Sequence, residues 1–279
     1  MPFISFSDNL FNDSAVAMPT EIDPHIPSET LSTALTNGWA WQIPLTNRFG
    51  NGYVYSSQYC TQDEAEKELR THLGILDNDI EARHLKMKVG RAQVSWRNNC
   101  VAVGLSQGFI EPLEASALVM VELSAAMIAE QMPPTRAAMD PIARRFNKKF
   151  LYRWRSIINF LKLHYLLSER TNHRYWVDQR APSTVPEDLL ELLSIWQYQT
   201  PWHRDQEHVD ELFPTASYQY ILYGMQFKTM QNDHYRQKNK TSAEATLNKR
   251  QEYTTKLYRA LPDHRELIAA IAKQGLPKF

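Results

Sequence analysis

The sequence predicts an α+β fold that is strand-rich through about residue 120 and mostly helical from 121 to 279. Two observations carry the prediction. Short runs rich in aromatic and β-branched residues, broken by Gly and Pro, crowd the first part. Long stretches of good helix formers with apolar positions three and four apart fill the second. No repeat of about 20 to 50 residues is visible.

At 279 residues and 43% hydrophobic content the chain is long enough for one large domain or two smaller ones. We place the boundary between 1–120 and 121–279. Lys+Arg and Asp+Glu both number 31, so nothing electrostatic favours nucleic acid or an acidic membrane, and small or aromatic partners are expected instead. Cys60 and Cys100 form no CxxC pattern, which suits reduced thiols in a cytoplasm. The first residues, MPFISFSDNLFNDSAVAMP, lack the basic start of a signal peptide, and no apolar run approaches the roughly 20 residues of a membrane span.

Residues 1 to 36 read as short strands and turns, with Pro19, Pro24 and Pro27 interrupting any helix. From Gly38 to Ser57 the pattern predicts a hairpin around a Gly50-Asn51-Gly52 turn. Thr61 then opens a helix through a capping box with Glu64, and Gly74 closes it. In HLKMKVG, residues 84 to 90, Leu85, Met87 and Val89 alternate with lysines and predict a half-buried strand. CVAVGL, from Cys100, is apolar on both faces and predicts a buried one.

The run from Pro112 to about Gln131 has no internal Gly or Pro and predicts a helix with Pro112 at its first position and Pro133-Pro134 beyond its end. Phe150, Trp154, Ile157, Ile158, Leu161 and Tyr165 mark the buried stripe of a long helix. Pro186 to Trp196 predicts another, and about 242 to 260 a charged, solvated arm. His84, His164, His173, His203 and His234 are scattered rather than paired at ligand spacing, so no metal is expected.

Two stretches carry chemistry. In GWAWQIP, residues 38 to 44, Trp39 and Trp41 fall on one face of a strand, where stacked indoles would make either core packing or the wall of a cavity for a planar ligand. In LSQGFIEPLEASALVMVE, residues 105 to 122, a buried strand runs into the Ser106-Gln107-Gly108 loop, and Glu111-Pro112-Leu113-Glu114 then opens a helix. Such a start can hold an anion on the N–H groups of residues 115 to 117, and two carboxylates three apart can share a face.

Together these motifs resemble the flavin-dependent halogenases, commonly called tryptophan halogenases. GWAWQIP resembles their Trp-x-Trp-x-Ile-Pro signature and VGLSQGFIEPLEASAL their flavin-side loop and helix start. NGYVYSS, LKMKVGR with Trp96 and Asn99, FLKLHYLLSER and RYWVDQR extend the similarity over nearly the whole chain.

The resemblance implies the remainder of a flavin-monooxygenase-like sheet domain, followed by a helical C-terminal region. It implies an enzyme that uses FADH2, O2 and halide to halogenate an electron-rich aromatic such as an indole, with FAD reduced by a separate reductase. Trp39, Trp41, Ile43 and Pro44 would separate substrate from flavin, and Glu114 would be the active-site carboxylate. Backbone N–H groups at Ser116 and Ala117 would hold halide, while Gly104, Ser106, Gly108 and Pro112 would border the cofactor. A homodimer is a possible assembly.

Glu114-Ala115-Ser116-Ala117 departs from the family's common Glu-Ser-Thr-Gly, which leaves halide choice open. None of the nine glycines here forms the family's Rossmann-type GxGxxG, and no lysine matches its catalytic lysine, so the isolated chain is expected to be inactive. A non-catalytic binding or scaffold protein is the alternative.

Overall fold

The computed structural model describes residues 2–22, 26–205, 212–230 and 233–276. Pro24 and the side chain of His234 lie outside the described residues. The architecture is α+β.

Five antiparallel strands form the main sheet in the order β3-β4-β5-β2-β6. They are β2 (Ser14–Thr20), β3 (Leu31–Leu35), β4 (Gly38–Pro44), β5 (Phe49–Tyr55) and β6 (Arg83–Lys86). A second sheet joins β1 (Phe3–Ser5), β7 (Gly90–Ala92) and β10 (Gly108–Phe109), and a third the short β8 (Trp96–Arg97) and β9 (Cys100–Val101).

The main sheet buries both faces, and period-two alternation sorts its side chains between them. Val16, Ala40, Tyr53 and Tyr55 pack with Ala65 and Leu69 of α1 (Gln62–Leu73). Their neighbours Ala15, Trp39 and Val54 join a larger core with α3 (Arg136–Leu166). Helix α1 is bounded as the sequence predicts: Thr61 and Glu64 complete the capping box, and Gly74 takes the left-handed conformation at φ 69°.

The Gly50-Asn51-Gly52 turn does not form. The chain reverses at Leu45 to Arg48, where Leu45 N–H donates to the Arg48 carbonyl at 2.9 Å, and the glycines lie inside β5. Gly52 stands opposite Trp41, and a Cβ there would come within 2.0 Å of the indole. The glycine therefore makes room for the ring rather than turning the chain.

Two predicted strands are corrected as well. β6 ends at Lys86 and, as an edge strand, leaves Leu85 exposed, while Val89 is buried farther on. CVAVGL keeps only two strand residues. Gly104 takes φ 63°, and Ser106 Oγ both accepts from Val103 N–H and donates to the Val103 carbonyl. That closes a 3₁₀ turn at Gly104–Ser106 and puts Leu105 at the surface.

The helix expected from Pro112 starts later, as α2 (Ser116–Glu130), behind a 3₁₀ turn at Leu113–Ala115. Glu114 and Ala115 both adopt positive φ, 63° and 50°, which breaks the helix before Ser116. Helix α3 buries every residue of the predicted stripe, and Thr135 caps it by accepting from Ala138 N–H.

Beyond it lie α4 (Arg174–Asp178), α5 (Glu187–Trp196) and α6 (Thr215–Gly224). The charged segment belongs to α7 (Asp233–Ala260), longer than expected and exposed from residue 240 on, and α8 (His264–Gln274) follows. Among the described residues no helix is long and apolar enough to cross a membrane.

Candidate functional site

The site is built around the two motifs, at the end of β4 and at the turn ahead of α2. Along β4 the shared face runs from a buried Trp39 through a half-buried Trp41 to an exposed Ile43, with Pro44 closing the strand. The two indoles are 6.2 Å apart between centroids and inclined at 59°. They form a bent wall rather than the parallel stack that strand alternation suggests.

Trp39 is anchored by a carboxylate from the second motif. Its Nε1–H donates to Glu111 Oε2 at 2.8 Å. The same oxygen accepts from Asn12 Nδ2 and from the Tyr165 hydroxyl, each at 2.6 Å. Burial raises the Glu111 carboxyl above its ordinary range, and the three donors oppose that rise by stabilising the anion.

Glu114 sits differently although only three residues away. Its left-handed backbone turns the side chain outward, where 38% of it is exposed, and Oε1 lies 3.3 Å from His164 Nε2. His164 Nδ1 is 2.9 Å from the Phe160 carbonyl, which can only accept, so Nδ1 carries a proton. The two carboxylates do not share a face, because the 3₁₀ turn separates a buried Glu111 from a half-exposed Glu114.

Ser116 is buried and Ala117 exposed at the first turn of α2, which has no side-chain cap. A cavity of about 240 Å³ lies beneath that turn, lined by Gly104, Gln107, Gly108, Ser116, Ala117 and Trp154 among others. Ser106 and Pro112 are not part of its lining. Gly108 has a packing reason of its own: a Cβ there would fall 2.7 Å from the Gly90 carbonyl oxygen on β7.

Sequence reasoning missed the polar cluster beneath the wall. Asn12, Tyr165, Tyr175 and Lys162 are all buried, and the Tyr175 hydroxyl donates to Asn12 Oδ1 at 2.9 Å. Lys162 Nζ donates to the Asn9 carbonyl and to Gln179 Oε1 at 2.9 and 2.8 Å. Burial pulls its ammonium down to about 7, with Glu111 acting in the opposite direction. The available signal was a lysine inside the apolar stripe of α3, where a buried charge needs partners. No group of three or more His, Cys, Asp or Glu able to hold a metal occurs among the described residues.

The family model described as tryptophan halogenase matches residues 1–241. The chain belongs to the tryptophan halogenase family. It is similar to the tryptophan 6-halogenase SttH of Streptomyces toxytricini, 39% identical over 231 residues, covering 80% of this chain and 43% of that protein.

Among solved structures, a tryptophan halogenase from Shewanella frigidimarina superposes with a TM-score of 0.95 at 42% identity, over 100% of this chain and 54% of that one. BrvH, a flavin-dependent halogenase from Brevundimonas sp. BAL3, superposes at 0.85 with 30% identity, over 97% and 54%. The chain therefore spans about half the length of the halogenases it matches.

Proposed function

We propose that this chain is the substrate-side portion of a flavin-dependent halogenase acting on an electron-rich aromatic such as an indole. The observation that carries the reading is the common anchoring of its two motifs. The indole wall of β4 and the turn bearing Glu114 meet at Glu111. In this reading residues 1–120 are the strand-rich part of the flavin and substrate domain, and 121–279 the helical C-terminal region.

FAD is the cofactor the family implies, and the residues present fit only part of it. The cavity of about 240 Å³ beneath α2 suits the edge of a ring system. No GxGxxG loop exists in the sequence to cradle a pyrophosphate. Reduced FAD, supplied by a separate reductase, would provide electrophilic halogen from O2 and halide.

The chain's own groups have simpler tasks. Trp41, outermost of the two indoles, offers a face against which a planar substrate can lie. The Glu114 carboxylate would stabilise positive charge developing on the ring under attack. N–H groups of Ser116 and Ala117 would hold halide without a side chain. Gly104 and Gly108 would border the ring end, whereas Ser106 and Pro112 fit that task less well because both are exposed and neither lines the cavity. The whole molecule would work in the cytoplasm, as a homodimer.

The test has two arms. Indole is titrated into the 279-residue chain, and Trp41→Ala and Glu114→Gln are each expected to weaken binding about five- to tenfold. Unchanged affinity in both variants would overturn the site. The chain is also incubated with reduced FAD, O2, bromide and indole, where no bromoindole is expected; product would overturn the reading that this portion is incomplete.

A further inference from the structure

The hydrogen bonds around Glu111 have fixed directions. The Tyr175 hydroxyl donates to Asn12 Oδ1, which leaves the Asn12 amide nitrogen facing Glu111. That nitrogen also donates to the Tyr165 oxygen at 2.9 Å, so the Tyr165 proton is free for Glu111. The indole N–H of Trp39 can only donate. Each of these bonds therefore runs toward Glu111 Oε2, directly or through a neighbour. The arrangement draws together β4, α3, α4 and the segment around Asn12.

Glu111 also belongs to the short link between β10 and the turn carrying Glu114. A shift of its carboxylate would move the inner indole on one side and strain the left-handed pair Glu114-Ala115 on the other. The opposite carboxylate oxygen, Oε1, is buried with no hydrogen-bond partner among the described residues, so it offers substrate no direct contact.

From this geometry we infer that Glu111 is a positioning residue that fixes the indole wall and the Glu114 turn relative to each other through one shared acceptor atom. The inference deepens the function proposed above and rests on it for its catalytic meaning. Glu114 meets the substrate; Glu111 sets where Glu114 and Trp39 stand.

The conservative variant Glu111→Gln keeps the shape and one oxygen acceptor but removes the charge. The test records ¹H–¹⁵N spectra of the 279-residue chain, whose seven tryptophans give seven indole N–H signals. Trp39→Phe, which keeps a ring and deletes the donor, assigns the Trp39 signal.

In wild type this signal is expected at the downfield edge of the group. In Glu111→Gln it should move upfield while the backbone amides of Glu114 and Ala115 shift with it and the other indole signals hold. Trp39→Phe should likewise shift the Glu114 and Ala115 amides. A stationary Trp39 signal in Glu111→Gln, or Glu114 and Ala115 amides that ignore both variants, would overturn the inference.

Indole titration into the same samples separates this outcome from the function itself. Glu111→Gln should weaken indole about three- to tenfold, acting indirectly through the displaced wall and turn. If wild type binds no indole while the spectra change as described, the coupling stands and the halogenase reading of the site falls.

Discussion

Lys162 should make the stability of this chain rise with pH. Its ammonium is fully buried yet faces two neutral acceptors, the Asn9 carbonyl and Gln179 Oε1, with the Phe11 ring 5.3 Å away. Two acceptors suit a neutral amine as well as a cation, so loss of the proton breaks neither contact. Burial pulls the group from 10.5 to about 7. Between those values the unfolded chain holds a proton that the folded chain has released, and unfolding becomes harder as pH rises.

From pH 7 to 8.5 the gain from this group alone amounts to about 1.5 kcal/mol. The window stops there because Cys60, raised by burial to about 11, works in the opposite sense once unfolded thiols ionise. Urea unfolding at the two pH values measures the gain. Lys162→Met removes the titrating group while keeping the stem, and comparing the pH response of variant and parent cancels the contributions of histidines. The expected result is a rise of about 1.5 kcal/mol in the parent that is absent in Lys162→Met. Equal rises in both would show that Lys162 stays charged inside the fold and that the argument from burial is wrong.

Gly52→Ala places a methyl group within 2.0 Å of the Trp41 ring. It should cost about 1–3 kcal/mol in thermal unfolding and shift tryptophan emission to the red as the indole is pushed toward water. Thr61→Ala removes the side chain that caps α1 and frees Glu64, so chemical denaturation should register a loss of about 1 kcal/mol with the spectrum of the folded state unchanged.

Much of the fold was legible because its signals are local. Thr61, Glu64 and Gly74 define α1 within fourteen positions of sequence, and the apolar stripe from Phe150 to Tyr165 needs only helical periodicity. The indole pair and the two glutamates were visible as candidates for the same reason. What stayed hidden depends on neighbours distant in sequence. Gly52 reads as a turn residue until Trp41 is seen lying across it. Glu111 and Glu114 read as equivalent first-turn carboxylates until Asn12, Trp39 and Tyr165 converge on one and His164 on the other. CVAVGL has the composition of a buried strand, yet the left-handed conformation at Gly104 and the clasp of Ser106 on Val103 decide otherwise.

The left-handed backbone at Glu114 and Ala115 has a consequence for how such a sequence can evolve. Neither residue is glycine, and each holds a conformation that costs an L side chain roughly 1–2 kcal/mol. A one-codon route to a more robust molecule, glycine at position 115, is thus open and untaken. The same change would let the carboxylate at 114 swing through a wider arc. Alanine at 115 keeps the turn stiffer than glycine would, and so holds the carboxylate of residue 114 within a narrower arc.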